Sequence, residues 1–166
     1  MTYAIRPVAP ADASAICRIY NHYVENTTIT FEEVAVTIEA MEMRLSEHAQ
    51  QAVNLPWLVL CEGDQLLGYA YATPWRARSA YRFSVETTVY VDQHHAGKGI
   101  GRALYDALLS RLRQQQLHCA IAGIALPNFA SVALHECFGF EKVAEFQEVG
   151  MKLQNWVNVG YWQLML

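Results

Sequence analysis

The sequence predicts an α+β sandwich, a mixed but mostly antiparallel sheet flanked by helices. Three observations carry this. Strand-like segments follow one another from residue 57 to 91 with only turns between them, which suits antiparallel pairing. Two amphipathic helical segments precede that run. A glycine cluster then separates the last of those strands from a third helix.

Thr2 to Arg6 is expected as a short strand, stopped by Pro7 and Pro10. Ala11 to about Asn26 places Ile16, Cys17, Tyr20, Tyr23 and Val24 at helical spacing, with Asp12 in the first turn facing the helix dipole. Val36 to about Gln50 repeats the pattern with Ile38, Met41 and Leu45. Between these helices, residues 27–33 carry Phe31 and are expected to loop over a pocket.

Trp57 to Glu62, the turn Gly63-Asp64 and Leu66 to Thr73 form a hairpin. Arg82 to Val91 is a strand in which Val85, Thr87, Val89 and Val91 alternate with Glu86, Thr88 and Tyr90. A helix runs from the glycines to about Gln116, with Ile100, Leu104, Leu108 and Leu112 on one face. Cys119 to Leu126 is a strand and Phe129 to Phe138 a short helix. Phe140 to Glu148 and Val157 to Met165 close the chain as an antiparallel pair. The order is β-α-α-β-β-β-α-β-α-β-β.

With 166 residues, 53% hydrophobic and 17% charged, the chain is sized for a single domain over 1–166 with a real core. A net charge of −4 and dispersed basic residues argue against a nucleic acid partner. No signal-like or membrane-length apolar run occurs, so no membrane partner and a cytoplasmic location are expected. Cys17, Cys61, Cys119 and Cys137 are far apart and read as reduced, mostly buried thiols. The histidines lack ligand spacing, and no metal is expected.

The chemistry concentrates in Val89-Tyr90-Val91-Asp92-Gln93-His94-His95-Ala96-Gly97-Lys98-Gly99-Ile100-Gly101-Arg102. Glycines there permit positive φ and close approach, and the following helix start offers unpaired N–H groups to a diphosphate. Lys98 and Arg102 add charge. A plain strand-to-helix turn is the bland alternative. A Walker A loop fails for want of Gly-Lys-Ser/Thr, and a Rossmann turn fits poorly because several antiparallel-looking strands precede the motif. Glu86 is a carboxylate in an otherwise apolar and hydroxyl-bearing strand, costly unless solvated in a cleft or paired with an arginine such as Arg82. His135 and Cys137 lie two apart on a helix and face differently, so they form no dyad.

At this point the sequence resembles the GNAT acetyltransferases, and among them the phosphinothricin and methionine sulfoximine branch. The resemblance spans nearly the whole chain. It is carried by Ile19-Tyr20-Asn21-His22-Tyr23-Val24, Pro74-Trp75-Arg76-Ala77-Arg78, Glu86 with Thr88-Val89-Tyr90-Val91, Leu126-Pro127-Asn128, His135-Glu136, and Asn155-Trp156 with Val159-Gly160-Tyr161-Trp162-Gln163-Leu164. One departure is Ala96, where the family has Gln or Arg.

The resemblance implies the GNAT fold and a V-shaped opening between the Glu86 and Cys119 strands that admits acetyl-CoA. Val89, Tyr90 and Val91 would offer backbone groups to its arm and thioester. Gly97, Lys98, Gly99, Ile100, Gly101 and Arg102 would cradle the pyrophosphate, and Asn128 would hold the pantetheine. Glu86 would be the general base and His135 the proton donor or acceptor at sulfur. Phe31, Arg76, Arg78 and Lys152 would contact a small amine such as phosphinothricin, methionine sulfoximine or methionine sulfone. Other acceptors, such as a peptide terminus, and a CoA-sensing module without catalysis are the alternatives. The family tendency implies a homodimer.

Overall fold

The computed structural model describes residues 3–166; Thr2, expected at the start of the first strand, lies outside them. The elements are β1 (Tyr3–Pro7), α1 (Ala13–Asn26), α2 (Ile38–Ala49), β2 (Trp57–Glu62), β3 (Gln65–Pro74), β4 (Ser84–Val91), α3 (Ile100–Gln114), β5 (Cys119–Leu126), α4 (Phe129–Cys137), β6 (Glu141–Lys152) and β7 (Asn155–Met165). They form one seven-stranded sheet in the order β1-β2-β3-β4-β5-β7-β6. Every neighbouring pair is antiparallel except β4 and β5, which run parallel.

Alternation along β2 divides the core between the two faces. Leu58 and Leu60 pack with Ile100, Leu104, Leu108 and Leu112 of α3. Trp57, Val59 and Cys61 pack on the other face with Ile16 and Ile19 of α1 and Met41 and Leu45 of α2. Each such side chain contributes about 1.5–3 kcal/mol on burial. On β3, Gly68 lets α3 lie close to the sheet: a Cβ there would stand 2.9 Å from the Tyr90 carbonyl oxygen and 3.1 Å from Ile100.

Among the expected boundaries that move, three do so for an evident local reason. Residues 10–12 form a single 3-10 turn, and α1 starts at Ala13. Asp12 does not serve the helix dipole there; its buried carboxylate accepts from both Arg6 guanidinium nitrogens at 2.8 and 2.7 Å and from the Ala9 N–H at 2.7 Å. Arg82 belongs to a turn rather than to β4, because its N–H donates back to the Ser79 carbonyl. β6 continues to Lys152, past the expected Glu148, because the chain reverses at Leu153 and Gln154. Both have positive φ, 50° and 63°, as a two-residue hairpin turn demands. Neither residue is a glycine or asparagine, so the turn left no local signal.

Candidate active site

The site begins where the sheet splits. β4 and β5 pair only at Ser84–Cys119, Val85–Ala120 and Glu86–Ile121, and then separate. β4 stays on β3 as far as Val91, while β5 stays on β7 as far as Leu126. The gap opens into a cavity of about 650 Å³ lined by β4, β5, the glycine turn, α3, α4 and the 27–33 loop.

Main chain builds one half of the cavity. The Asp92 N–H donates to the Leu67 carbonyl on β3, so alternation turns the peptide groups of Val91 and Val89 toward the vacated β5 side. Tyr90, expected to contribute backbone, faces β3 with its main chain and contributes its ring instead. The Val91 carbonyl is already taken by the Tyr23 hydroxyl at 2.5 Å, which leaves the Val91 N–H. Beyond β4, Gly97 and Gly99 adopt φ of 77° and 79°, and nothing lies within 4 Å of a Cβ built on either. Gly99 caps α3, whose first N–H groups have no earlier helical carbonyl.

This open cradle at a helix start fits a diphosphate. Gly97, Gly99, Ile100, Gly101 and Arg102 line the cavity, whereas Lys98 is exposed and does not. The Asn128 carbonyl oxygen caps α4 by accepting from the Ser131 N–H, so its amide N–H₂ is the part left for a ligand. Burial of Asp92 beneath the turn works to raise its pKa, but Arg18, the His94 N–H and His95 together hold it below the ordinary value.

Glu86 sits at the last paired position before the split, beside Gly123, where a Cβ would come within 3.5 Å of its Oε1. No hydrogen bond or ion pair holds this carboxylate among the described residues. Burial raises its pKa above the ordinary value, and the charge of Arg76 partly opposes that rise. The Arg82 pairing does not occur: that guanidinium lies over the Phe83 ring and donates to the Ser79 carbonyl.

His135 is 3% exposed. Its Nδ1 lies 2.7 Å from the Ser131 carbonyl oxygen, which can only accept, so Nδ1 carries the proton. Burial pushes its pKa down, which keeps the ring neutral. Nε2 therefore accepts, and its partner 2.7 Å away is the Tyr105 hydroxyl. Tyr105 also lies 3.1 Å from the Thr87 Oγ1, which reaches toward the Ile121 carbonyl across the split. As placed, His135 has no free proton to give, and the single hydroxyl proton of Tyr105 lies on Nε2. Sequence reasoning missed Tyr105 because it falls on the apolar face of α3 beside Leu104 and Leu108, where an aromatic residue reads as core.

Side chains build the other half: Tyr20, Phe31, Tyr71 and Tyr90 with Thr30 and Ile29. Of the expected acceptor contacts, Phe31 lines the cavity; Arg76, Arg78 and Lys152 do not. Arg76 and Arg78 are exposed on the loop before β4, Arg76 over the Trp75 ring. Lys152 is 2% exposed, and its ammonium donates to the carbonyls of Thr30 at 2.7 Å and Tyr23 at 3.4 Å. Two of its three N–H donors are thus spent on main-chain carbonyls. No cluster of three metal-ligating side chains occurs among the described residues. Cys17, Cys61 and Cys119 are buried, and Cys137 is exposed.

Residues 5–159 match the family described as acetyltransferase (GNAT) domain. The chain belongs to that family. Among its GNAT relatives, the phosphinothricin N-acetyltransferase of Streptomyces viridochromogenes is 40% identical over 96% of this chain and 85% of its own. The L-methionine sulfoximine/L-methionine sulfone acetyltransferase of Salmonella typhimurium is 37% identical over 98% and 94%. A solved GNAT phosphinothricin acetyltransferase from Sinorhizobium meliloti, in complex with AcCoA, superposes with a TM-score of 0.94 at 34% identity, covering 100% of this chain and 89% of that one.

Proposed function

We propose that this GNAT chain, acting as a single domain over 1–166, transfers acetyl from acetyl-CoA to the amino group of a small amino-acid-like acceptor. Phosphinothricin, methionine sulfoximine and methionine sulfone are the acceptors its relatives suggest. The observation that carries the reading is the unpaired, partly buried Glu86 carboxylate at the root of a cleft whose opposite end is a diphosphate cradle.

Acetyl-CoA supplies an activated thioester. The protein supplies the rest. Gly97 to Arg102 hold the diphosphate through main-chain N–H groups, and the Val89 N–H is aligned to donate to the reacting carbonyl oxygen. Glu86, raised in pKa by burial, takes the acceptor's amine proton directly or through one water. The Tyr105 hydroxyl, which rests on neutral His135 Nε2, turns to give its proton to the departing sulfur and regains one from water. Arg76, whose charge is felt at Glu86, is the nearer of the two expected arginines to an acceptor carboxylate.

A cytoplasmic location is part of this reading; no helix among the described residues is long and apolar enough to cross a membrane. The exposed Val143, Phe146, Val149, Met151 and Trp156 of the β6–β7 hairpin support a homodimer formed through that hairpin. Light scattering reads it directly, and a monomer at micromolar concentration would refute it.

The function is tested by thiol release from acetyl-CoA with phosphinothricin, methionine sulfoximine, methionine sulfone and a peptide bearing a free amino terminus. The expected result is a kcat/KM for an amino-acid analogue at least about tenfold above that for the peptide. Turnover of the peptide alone would overturn the acceptor class, and CoA binding without turnover of any amine would make the chain a sensor.

A further inference from the structure

A fully buried ammonium is expensive unless its donors are satisfied, so a buried lysine dictates where its acceptors must lie. Lys152 is such a residue, and the reaction does not use it. It ends β6, far in sequence from the segment it contacts, and its best acceptor is the carbonyl of Thr30, one residue before Phe31. Its second acceptor is the Tyr23 carbonyl, at the end of α1 from which that segment departs. The same segment is tied from the other side by Tyr20, whose hydroxyl lies 2.8 Å from the Thr30 Oγ1, and by Glu32, which pairs with Arg44 of α2.

Two residues earlier on β6, Gly150 lies beneath the Phe31 ring. A Cβ at Gly150 would stand 2.5 Å from Phe31 Cζ and 2.6 Å from Cε2, so any side chain there must displace the ring. Phe31 and Thr30 both line the cavity on the side opposite the glycine cradle. Strand β6 thus fixes this wall twice, with a charge that anchors its backbone and an empty position that seats its aromatic ring.

We propose that Lys152 and Gly150 are positioning residues for the acceptor, setting its affinity through the Thr30–Phe31 segment without touching it. The inference rests on the acceptor reading given above. It assigns Lys152 a role different from gripping the acceptor's anionic groups.

Two variants test it. Lys152→Met should raise the KM for phosphinothricin or methionine sulfoximine about tenfold while the KM for acetyl-CoA stays within about twofold, because the cradle is built from other elements. Gly150→Ala should raise the acceptor KM in the native background and have no further effect in a Phe31→Ala background, since its action runs through that ring. Gly150→Ala decides the matter if Lys152→Met does not fold. Parallel changes in both KM values, an unchanged acceptor KM in folded variants, or equal effects of Gly150→Ala in both backgrounds would overturn the proposal.

Amide hydrogen exchange provides a readout that needs no acceptor. Residues 27–33 should exchange about tenfold faster in Lys152→Met, with the amides of Gly97 to Arg102 unchanged. Unchanged exchange at 27–33 would count against the inference. Wild-type enzyme that acetylates none of the amino-acid analogues would instead count against the acceptor reading, so the two failures are distinguishable.

Discussion

The two walls of the cleft are made of different material. The diphosphate wall is main chain: Val89 and Val91 N–H groups freed by the parting of β4 and β5, and glycines at positive φ opening α3. The acceptor wall is side chain: Phe31, Tyr20, Tyr71 and Tyr90, brought together from α1, the 27–33 loop, β3 and β4. The first depends on backbone conformation and tolerates side-chain variation. The second depends on which side chains arrive and on what holds them, so substrate choice can change there without disturbing the cofactor half.

The sharpest way to break this division is at the residue between the walls. Glu86→Gln should lower kcat by about 10²–10³-fold while leaving the acetyl-CoA KM within about twofold, read from steady-state kinetics. Unchanged turnover would remove Glu86 from the reaction. Tyr105→Phe keeps the ring packed and removes the hydroxyl facing His135 Nε2; it should lower kcat by about tenfold, again with little change in either KM. An effect of that size on acceptor KM alone would place Tyr105 in the side-chain wall instead.

A smaller effect tests the main-chain wall. Gly99→Ala puts a Cβ on a residue at φ of 79°, a strain of about 1–2 kcal/mol. Open space surrounds that Cβ, so the penalty is conformational. The acetyl-CoA KM should rise up to about tenfold, and the acceptor KM should hold.

The smallest effect is electrostatic. Glu86 acts as a base only when ionised, and burial raises its pKa, so activity falls as pH drops through a value above the ordinary carboxylate range. Arg76 favours the ionised form, and Arg76→Ala removes that help. The acidic limb of the kcat profile should therefore move upward in pH. A downward shift would contradict the assigned sign.

Much of the fold was legible locally. The helices of residues 13–26, 38–49 and 100–114 follow from apolar periodicity, and the hairpin of β2 and β3 from its Gly63-Asp64 turn. The end of β6 was not, because Leu153 and Gln154 turn the chain without the usual residues. Arg6–Asp12 illustrates the same limit at a helix start: an acidic residue near an N-terminus reads as a dipole partner, and only the neighbouring strand reveals its guanidinium.

The candidate site divides in the same way. Glu86 and the glycine turn could be nominated from the sequence because each is anomalous in its own neighbourhood, a charge in an apolar strand and clustered glycines before a helix; Asn128 came only with the family resemblance. Tyr105 and Lys152 are not anomalous locally. Tyr105 acquires its role from His135, thirty residues away, and Lys152 loses the role of ligand contact to a carbonyl 122 residues away.

The sequence by itself determined the family, the order of elements and the main-chain cradle, since backbone conformation near glycines and periodic apolar faces are short-range properties. Only the tertiary structure decided which polar side chains face one another. Desolvation and hydrogen-bond geometry depend on neighbours that periodicity does not specify. That is why the neutral histidine, the tyrosine it orients and the lysine that anchors the acceptor loop emerged only when the sheet was assembled.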